Sequence, residues 1–438
     1  MPPPPLMNRP GAVANPECDP DAAVPAHFGD PLREQAALGE GRALSPLARD
    51  VVAVSGPDRL DWLTTLSSQV LTSLEPGDGG AEALLLDAHG RITHALAALD
   101  DGERLLLVTQ AGQGGALVEF LERMRFMLRV EVGQCPDLVV LGAVGQGLEA
   151  LEGACALVGR ADSADPAGPT ALVETGGPTG PADPEGSVGA EGAAADGPVA
   201  GGPAVEGGGL WRDPWPGIVQ GGTSYDVGLE ERAHPGRDYR AGFALVEAGM
   251  LDRVVEAFLG AGHGRCLAGS LAWEALRVEA GRPRWAREAD ARAIPHELDW
   301  LRTAVHLAKG CYPGQETVAR TLNLGRPPRR LTILQLDGLG GDLPAPGATV
   351  HLGERAVGVV TSVVRHHELG PMALALLRRA VPVGEQLTVA LTEEAQDGRL
   401  VEVGRVDAAQ ELLVSPEGRA QASPAQRPGA GLRKGLLR

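Results

Sequence analysis

Lysine is nearly missing from this 438-residue chain. Only Lys309 and Lys434 are lysine, so 37 of the 39 basic residues are arginine. Nearly every basic position holds arginine, and the two side chains are not interchangeable. A lysine within the chain is therefore informative. Lys309 is therefore a candidate functional residue.

Paired cysteines and long apolar runs are missing as well. An odd number of cysteines without a Cys-x-x-Cys spacing argues against a disulfide framework and a zinc ribbon, so an important cysteine would act as a thiol. No apolar run approaches the roughly 18 residues of a membrane span. The proline-rich N-terminus has no apolar signal-peptide core, so we expect a cytoplasmic protein. The five cysteines are Cys18, Cys135, Cys155, Cys266 and Cys311.

Basic residues are in the minority. The chain has 39 basic and 57 acidic residues, a formal net charge of −18. Such a balance disfavours non-specific attraction to nucleic-acid phosphates and to anionic membranes. We therefore expect neither a membrane nor a nucleic acid among its direct partners. The pair His366-His367 has no third ligand at metal spacing, so no metal site is predicted.

Segment 161–209 predicts a disordered linker. It holds 13 Gly, 7 Pro and 8 acidic residues, with no aromatic and no basic residue. Such a composition buries too little apolar surface to offset the entropy of ordering the chain. Residues 1–30, which are rich in proline, and residues 405–438 are predicted to be mostly disordered tails for the same reason.

The remaining patterns indicate an α+β fold. Strand-like and helical periodicities alternate in 31–160, which predicts a mixed lobe. Residues 210–328 predict a second α+β lobe, with helices at 268–280 and 295–308. From 329 to 404 the apolar pattern changes to period two, which predicts a small C-terminal β-barrel. The chain length leaves room for these units.

The segment Lys309 to Arg320, KGCYPGQETVAR, is the densest in chemistry-bearing residues. Gly310 is predicted to end the preceding helix in a left-handed conformation, and Tyr312 to Gln315 to form a type II turn. Cys311 would then lie in a tight surface turn. A helix C-terminus raises a thiol pKa and Lys309 lowers it, and the sequence leaves open which effect prevails.

This segment resembles the KGC[FY]xGQE signature of the YgfZ-type folate-binding proteins, a branch of the family that includes the glycine-cleavage T protein. The resemblance covers roughly residues 45–155 and 210–395 and leaves out the linker and both tails. Supporting matches are Ser55 to Asp58, the LLLDxxGR hairpin at Leu84 to Arg91, the LR-x-EAG-x-PR run at Leu276 to Arg284, and Ile294 to Glu297.

The resemblance implies a ring of two α+β lobes and a small barrel around a central folate. The cofactor would be tetrahydrofolate or a one-carbon derivative. The implied role is iron–sulfur cluster assembly or repair, on which enzymes such as those that modify tRNA depend. The implied partners are client or assembly proteins. The candidate catalytic residues are Cys311 and Lys309, and the candidate folate contacts are Arg277, Glu279, Gln315, Glu316 and Arg320.

The helix at 268–280 allows a separate test of these contacts. If Leu271, Ala275 and Val278 form the buried stripe, Glu279 lies at its margin and Arg277 points away. A half-buried Glu279 would suit a pterin, whose amino group and ring N–H are two parallel donors. The alternative interpretation is that the Glu279 carboxylate pairs with a neighbouring arginine.

A folate also carries an anionic glutamate tail. A basic cluster between the signature and the barrel could line its path. The alternative interpretation is a solvated basic turn. The cluster consists of Arg320, Arg326, Arg329 and Arg330.

Three functions remain open at this point. The favoured one is a folate-binding accessory factor, which would not be a classical enzyme. The second is a tetrahydrofolate-dependent one-carbon (aminomethyl) transferase, but residues 108–117, which correspond to the T-protein segment with the catalytic aspartate, contain no carboxylate. The third, a folate-independent thiol redox factor, requires Glu279 to be irrelevant.

Overall fold

The computed structural model describes residues 5–163, 209–225, 233–324, 326–394, 400–417 and 419–424. Within these ranges the chain forms an α+β fold, as predicted, with mixed sheets and a closed C-terminal barrel. Apart from residues 161–163 and 209, the predicted linker lies outside the described residues. Among the helices of these ranges, none has the length and apolarity that crossing a membrane requires.

The elements that precede the insertion include a hairpin at the N-terminus, all five strands of one sheet and two strands of a second. In chain order they are β1 (Val13–Ala14), β2 (Pro25–His27), α1 (Pro31–Gly39), β3 (Ala43–Leu47), β4 (Arg49–Ser55), α2 (Arg59–Leu66), β5 (Ala81–Leu86), β6 (Ile92–Asp100), β7 (Arg104–Gln110), α3 (Gly114–Met124), β8 (Glu131–Gln134), β9 (Leu138–Val144) and α4 (Gln146–Ser163).

The elements that follow it complete the second sheet and build the barrel. They are β10 (Leu210–Arg212), β11 (Ala241–Glu247), α5 (Leu251–Gly260), β12 (Cys266–Leu267), α6 (Ser270–Glu279), α7 (Trp285–Glu288), α8 (Gln315–Leu324), β13 (Arg329–Leu336), β14 (Thr349–Leu352), β15 (Arg355–His366), β16 (Gly370–Arg378), β17 (Leu387–Glu394) and β18 (Leu400–Leu412).

The first sheet, in the order β5-β6-β7-β4-β8, is antiparallel and buried on both faces. Along β4, Val52 and Val54 pack with α2 and α3, whereas Val51 belongs to the central core on the other face. Side chains alternate between the faces of a strand, so burial on both sides requires nearly continuous apolar runs. This requirement explains the runs Ala83–Leu86 and Leu105–Val108.

The second sheet, in the order β10-β11-β9-β3-β12, draws strands from both sides of the insertion. β9 pairs antiparallel with β11, Leu141 opposite Ala244, while β12 runs parallel to β3. The two lobes 31–160 and 210–328 stay a prediction. Dividing the chain in this way separates strands that this sheet joins. Long-range pairing of this kind leaves no mark on local periodicity.

The barrel closes in the order β13-β16-β15-β14-β17-β18. Its sixth strand, β18, pairs with β13 through Ile333 and Glu411, and so extends past residue 404 into the segment expected to be a mostly disordered tail. Many charged and small residues of β18 obscured its strand pattern. Closure of the barrel supplies the hydrogen-bond partners that an edge strand would lack.

The N-terminal segment also differs from the expected disordered tail. Residues 5–30 pack against the body of the protein, with Leu6 and Val24 buried. Arg9 pairs with Asp252 and Glu256 on α5. These contacts join residues more than 240 positions apart, which composition cannot reveal.

The predicted helix at 295–308 is wrong. The structure has one 3-10 turn, Pro295–Leu298, after which Asp299 adopts a left-handed conformation with φ 59°. Asp299 is buried, and its carboxylate lies 3.0 Å from both His234 Nε2 and Arg302 Nε. These polar contacts accompany a backbone conformation that a helix does not accommodate.

Candidate functional site

The signature loop presents Cys311 at the protein surface. Cys311 is an exposed, free cysteine. The Gln315 amide donates to the Tyr312 carbonyl at 3.3 Å and Gly314 has φ 78°, as the predicted type II turn requires. Gly310 does not take the predicted left-handed conformation, because no helix precedes it.

The turn leads directly into α8, which the sequence analysis did not predict. Gln315 and Glu316 lie in its first turn and Arg320 lies further along it. Gln315 Nε2 donates to the Lys309 carbonyl at 3.4 Å, whereas Glu316 and Arg320 are exposed. Gln315 thus supports the loop, and the two charged side chains face solvent.

The loop packs against the β5–β6 hairpin. Asp87 Oδ1 accepts from the amides of His89 and Arg91, at 2.8 and 2.9 Å, and shapes this hairpin. A Cβ at Gly314 would lie 2.6 Å from the Asp87 carbonyl oxygen and 2.7 Å from Gly90 Cα. The two motifs therefore meet through a glycine–glycine contact that excludes larger residues.

Lys309 anchors the loop to the C-terminus of α2. Its ammonium donates to the carbonyl oxygens of Thr64 and Ser67 and lies 4.9 Å from the centroid of the Tyr312 ring. A cation is favoured where a helix leaves its last carbonyls unpaired. Burial lowers the pKa of Lys309 to about 8. Lys309 thus has a positioning role in the loop besides its charge.

Arg277 is buried, contrary to the prediction that it points away. It is 2% exposed, whereas Leu271, assigned to the buried stripe, is 43% exposed. Arg277 donates to Glu274 Oε1 at 2.9 Å, Glu288 Oε2 at 3.2 Å and Ser362 Oγ at 2.6 Å. These carboxylates hold its pKa above the usual value despite burial. The prediction from the three-residue apolar stripe is wrong, because ionic partners bury nearly all of α6.

Glu279 ends α6 with a side chain that is 45% exposed. Its Oε2 lies 3.2 Å from Nε2 of the buried His366 on the barrel. His366 Nδ1 accepts from the amides of Glu368 and Leu369, at 3.2 and 3.1 Å, which assigns the proton of the neutral ring to Nε2. The Nε2 atom is buried and makes no hydrogen bond within the described residues, so its contact with Glu279 is one of proximity, and the half-exposed carboxylate keeps its capacity to accept hydrogen bonds.

The structure does not bring Glu279 and Cys311 into contact. Glu279 contacts the barrel through His366, whereas the signature loop contacts α2 and the β5–β6 hairpin.

Arg284 organises an ionic cluster that the sequence analysis missed. It forms a bidentate pair with Asp21 at 2.6 and 2.8 Å, and donates to Gln110 Oε1 at 2.8 Å and to Glu274 Oε1 at 2.9 Å. The neighbouring arginines hold the pKa of Glu274 well below its usual range despite burial. The Pro-Arg pair that ends the LR-x-EAG-x-PR run pointed to Arg284, but no sequence pattern indicated Asp21.

A second buried cluster surrounds Glu82. Glu82 accepts from Arg282 Nη2 at 2.7 Å, from the Trp300 indole at 3.0 Å and from the Thr303 hydroxyl at 2.5 Å. Arg282 also donates to Asp213 at 2.9 Å, and burial raises the pKa of that carboxyl. The cluster ties the first sheet to the segment that leads into the signature loop.

Two of the four arginines proposed to follow a folate tail are engaged elsewhere. Arg329 pairs with Asp290 and Glu297, and Arg330 is fully buried, donating to the Val381 carbonyl and to Gln410 Oε1. Burial lowers the pKa of Arg330 to about 10. Arg320 and Arg326 remain exposed and can serve such a path.

A search for metal-binding clusters finds no group of three or more His, Cys, Asp or Glu side chains suited to an ion within the described ranges.

Comparisons with known proteins support the fold. No family model matches the sequence. An Arabidopsis thaliana protein named "Putative transferase At1g60990, chloroplastic" is 34% identical over 123 residues, 28% of this chain. The match spans 27% of that relative, so the chain covers about a quarter of its length.

The whole chain is similar in structure to the glycine cleavage system aminomethyltransferase T from Bartonella henselae. The TM-score is 0.61 at 18% identity, over 94% of this chain and 97% of that one. A heterotetrameric sarcosine oxidase from Corynebacterium sp. U-96 reaches only 0.23 at 16% identity, covering 52% and 90%, and does not bear on the fold. The chain therefore has the fold of an aminomethyltransferase T.

Proposed function

We propose that this protein binds a reduced folate and acts as an accessory factor in iron–sulfur cluster assembly or repair, in the manner of the YgfZ-type proteins. The observation that carries the proposal is the fixed, exposed presentation of Cys311 on a fold shared with an aminomethyltransferase. Its cofactor would be tetrahydrofolate or a one-carbon derivative, and its partners cluster-carrying or cluster-assembling proteins. A cytoplasmic location is part of the proposal.

The residues present fit a folate. The Glu279 carboxylate is half exposed, has one oxygen 3.2 Å from His366 Nε2, and can accept the paired N–H donors of a pterin. Arg320 and Arg326 offer cations to the glutamate tail. Bound folate would supply one-carbon or redox chemistry. The side chains described above would bind and orient it.

Cys311 would supply the chemistry toward a partner. It is exposed in a turn that Gly314, Lys309 and the hairpin hold in place, so a docking protein can approach the thiol without moving the backbone. A thiolate in this position can ligate cluster iron, or can attack the outer sulfur of a partner protein's persulfide and release the partner's thiolate.

The variant Cys311→Ser, tested in cells, separates the role of the thiol from folding and from folate binding. The variant should fold and bind tetrahydrofolate as the wild type does, yet fail to support client iron–sulfur enzymes when it replaces the wild-type protein. Client cluster content and the activity of cluster-dependent tRNA thiolation are the measurements. Full complementation by the serine variant would refute the role of the thiol.

The positions of two aspartates favour the alternative of a one-carbon transferase. Residues 108–117 contain no carboxylate, but Asp21 reaches the neighbourhood of Gln110 through Arg284, and Asp50 accepts from the Gly114 amide at 2.7 Å. Both Asp21 oxygens are engaged by Arg284, so taking a proton there would disrupt a bidentate ion pair. Asp50 stays a candidate base, with its Oδ2 engaged by the Gly114 amide. Because residues 108–117 lack a carboxylate, we favour the accessory role.

An assay of folate-dependent aminomethyl transfer discriminates between the two functions. Turnover lost in Asp21→Asn or Asp50→Asn, with folate binding retained, would establish the transferase. Binding without turnover supports the accessory factor. A protein in which Glu279→Gln changes neither folate affinity nor client activity would instead act as a thiol redox factor.

A further inference from the structure

The wall of one cavity contains neither Glu279 nor any residue of the signature loop. The cavity has a volume of about 600 Å³ and opens between the N-terminal segment, α1 and the start of β12. Cavities of roughly 300 to 1,000 Å³ are the usual size of small-molecule sites. Its wall includes none of the residues assigned to folate or to partner binding.

The wall of this cavity combines four arginines with two carboxylates, and acidic residues beside the wall pair with Arg9 and Arg42. Glu34 accepts from the amides of Phe28, Asp30 and Gly269, and Asp30 caps α1 through the Arg33 amide. Because backbone donors engage both acids and acidic partners engage three of the four arginines, Arg265 is the cation of the wall that is open to a ligand.

Arg265 differs from the other arginines of the wall. Arg9, Arg33 and Arg42 form ion pairs with acidic residues, whereas Arg265 forms none within the described ranges. Its guanidinium lies 4.5 Å from the Phe258 ring centroid, and its Nη1 is shielded from solvent without a hydrogen-bond partner. A shielded donor without a partner is costly, and an oxyanion would satisfy it.

The rest of the wall is apolar. Phe28, Leu259 and Leu267 line it beside Arg265, and the half-buried Cys266 lies among them. We propose that this cavity binds a small oxyanion with an apolar body, a phosphate monoester or a carboxylate, through Arg265. The ligand would place its charge against the Arg265 guanidinium and its body against the apolar wall.

The cysteine in the wall provides a direct readout. Phenyl phosphate and benzoate are the probes, with phenol and inorganic phosphate as controls for body and charge. Alkylation of Cys266, followed peptide by peptide so that Cys18 and Cys311 are scored separately, should slow at least threefold with one or both probes. Neither control should protect it. Unchanged alkylation with both probes, or equal protection by inorganic phosphate, would overturn the proposal.

Arginine variants locate the contact. Arg265→Gln should weaken probe binding, measured by calorimetry, about tenfold or more, because it removes a charge-assisted donor. Arg33→Gln, at a side chain that is 90% exposed, preserves the fold and should weaken binding about twofold to threefold. The matched control Arg355→Gln, on the exposed start of β15, should bind as the wild type does. Wild-type affinity in both pocket variants would contradict the assignment.

Discussion

The signature loop and helix α6 are stabilised in opposite ways. The loop is fixed by backbone: Gly314 meets Gly90, and Lys309 donates to two helix carbonyls. Helix α6 is fixed by side-chain charge, because Arg277 and Glu274 form a buried ionic cluster with residues of distant segments. A change in the loop should therefore move one thiol, whereas a change in α6 should destabilise the whole fold.

The largest effect is expected from breaking the ionic cluster. Arg277→Met should destabilise the protein by about 3 to 5 kcal/mol, because Glu274 and Glu288 would lose a buried counter-charge. Denaturant unfolding measures the change. Arg355→Met, at an exposed arginine, is the control and should change stability by about 0.5 kcal/mol or less. Equal stability of the two variants would contradict the claim that the ionic cluster stabilises the fold.

A smaller effect is expected from Gly314→Ala. The position has φ 78° and a Cβ there would clash with the Asp87 carbonyl, so we expect a loss of about 1 to 3 kcal/mol and a displaced Cys311. Gly310→Ala, in the same loop, meets nothing within 4 Å and should be neutral. Thermal unfolding and the alkylation rate of Cys311 are the measurements. If Gly310→Ala is the costlier variant, the described loop conformation is wrong.

The pH dependence of stability tests the anchor at Lys309. Its folded pKa, about 8, lies below the usual lysine value of 10.5, so the unfolded chain binds more protons between these values. Stability of the wild type relative to Lys309→Met should accordingly rise as the pH increases from about 8 to about 10.5. Comparing the two proteins cancels the titration of other groups. A flat or falling difference over this range would show that burial does not penalise the ammonium.

The smallest effect is expected from the insertion. Replacing residues 161–209 with a short Gly/Ser connector should leave melting temperature, folate affinity and client activity essentially unchanged. Its composition favours no core, and each doubling of a flexible loop costs only about 0.6 kcal/mol of closure entropy. A connector variant that binds folate yet loses client activity would show that its eight carboxylates dock a basic partner.

Local signals predicted the loop better than they predicted α6. Pro313 followed by Gly314 indicated the turn, and period two indicated five barrel strands, because both depend on neighbouring residues. Gly310 was misassigned because the preceding helix was expected to continue to residue 308, beyond the left-handed Asp299. Local periodicity contains no information on such a buried polar contact.

The ionic partners of α6 could not be predicted, because they come from distant segments. Arg277 bonds Ser362, 85 positions away, and Arg284 bonds Asp21, 263 positions away. The apolar stripe alone therefore directed Arg277 to solvent. The N-terminal segment was assigned to a tail for the same reason, since its order comes from partners across the fold.

The most direct test of the account is a calorimetric titration with tetrahydrofolate of three proteins: wild type, Glu279→Gln and Cys311→Ser. The account predicts that the wild type and Cys311→Ser bind alike. Glu279→Gln should bind about ten- to a hundredfold more weakly, a loss of roughly 1.5 to 3 kcal/mol for a charge-assisted contact. Binding by the wild type with unchanged affinity in Glu279→Gln, or no binding by the folded wild type, would contradict it.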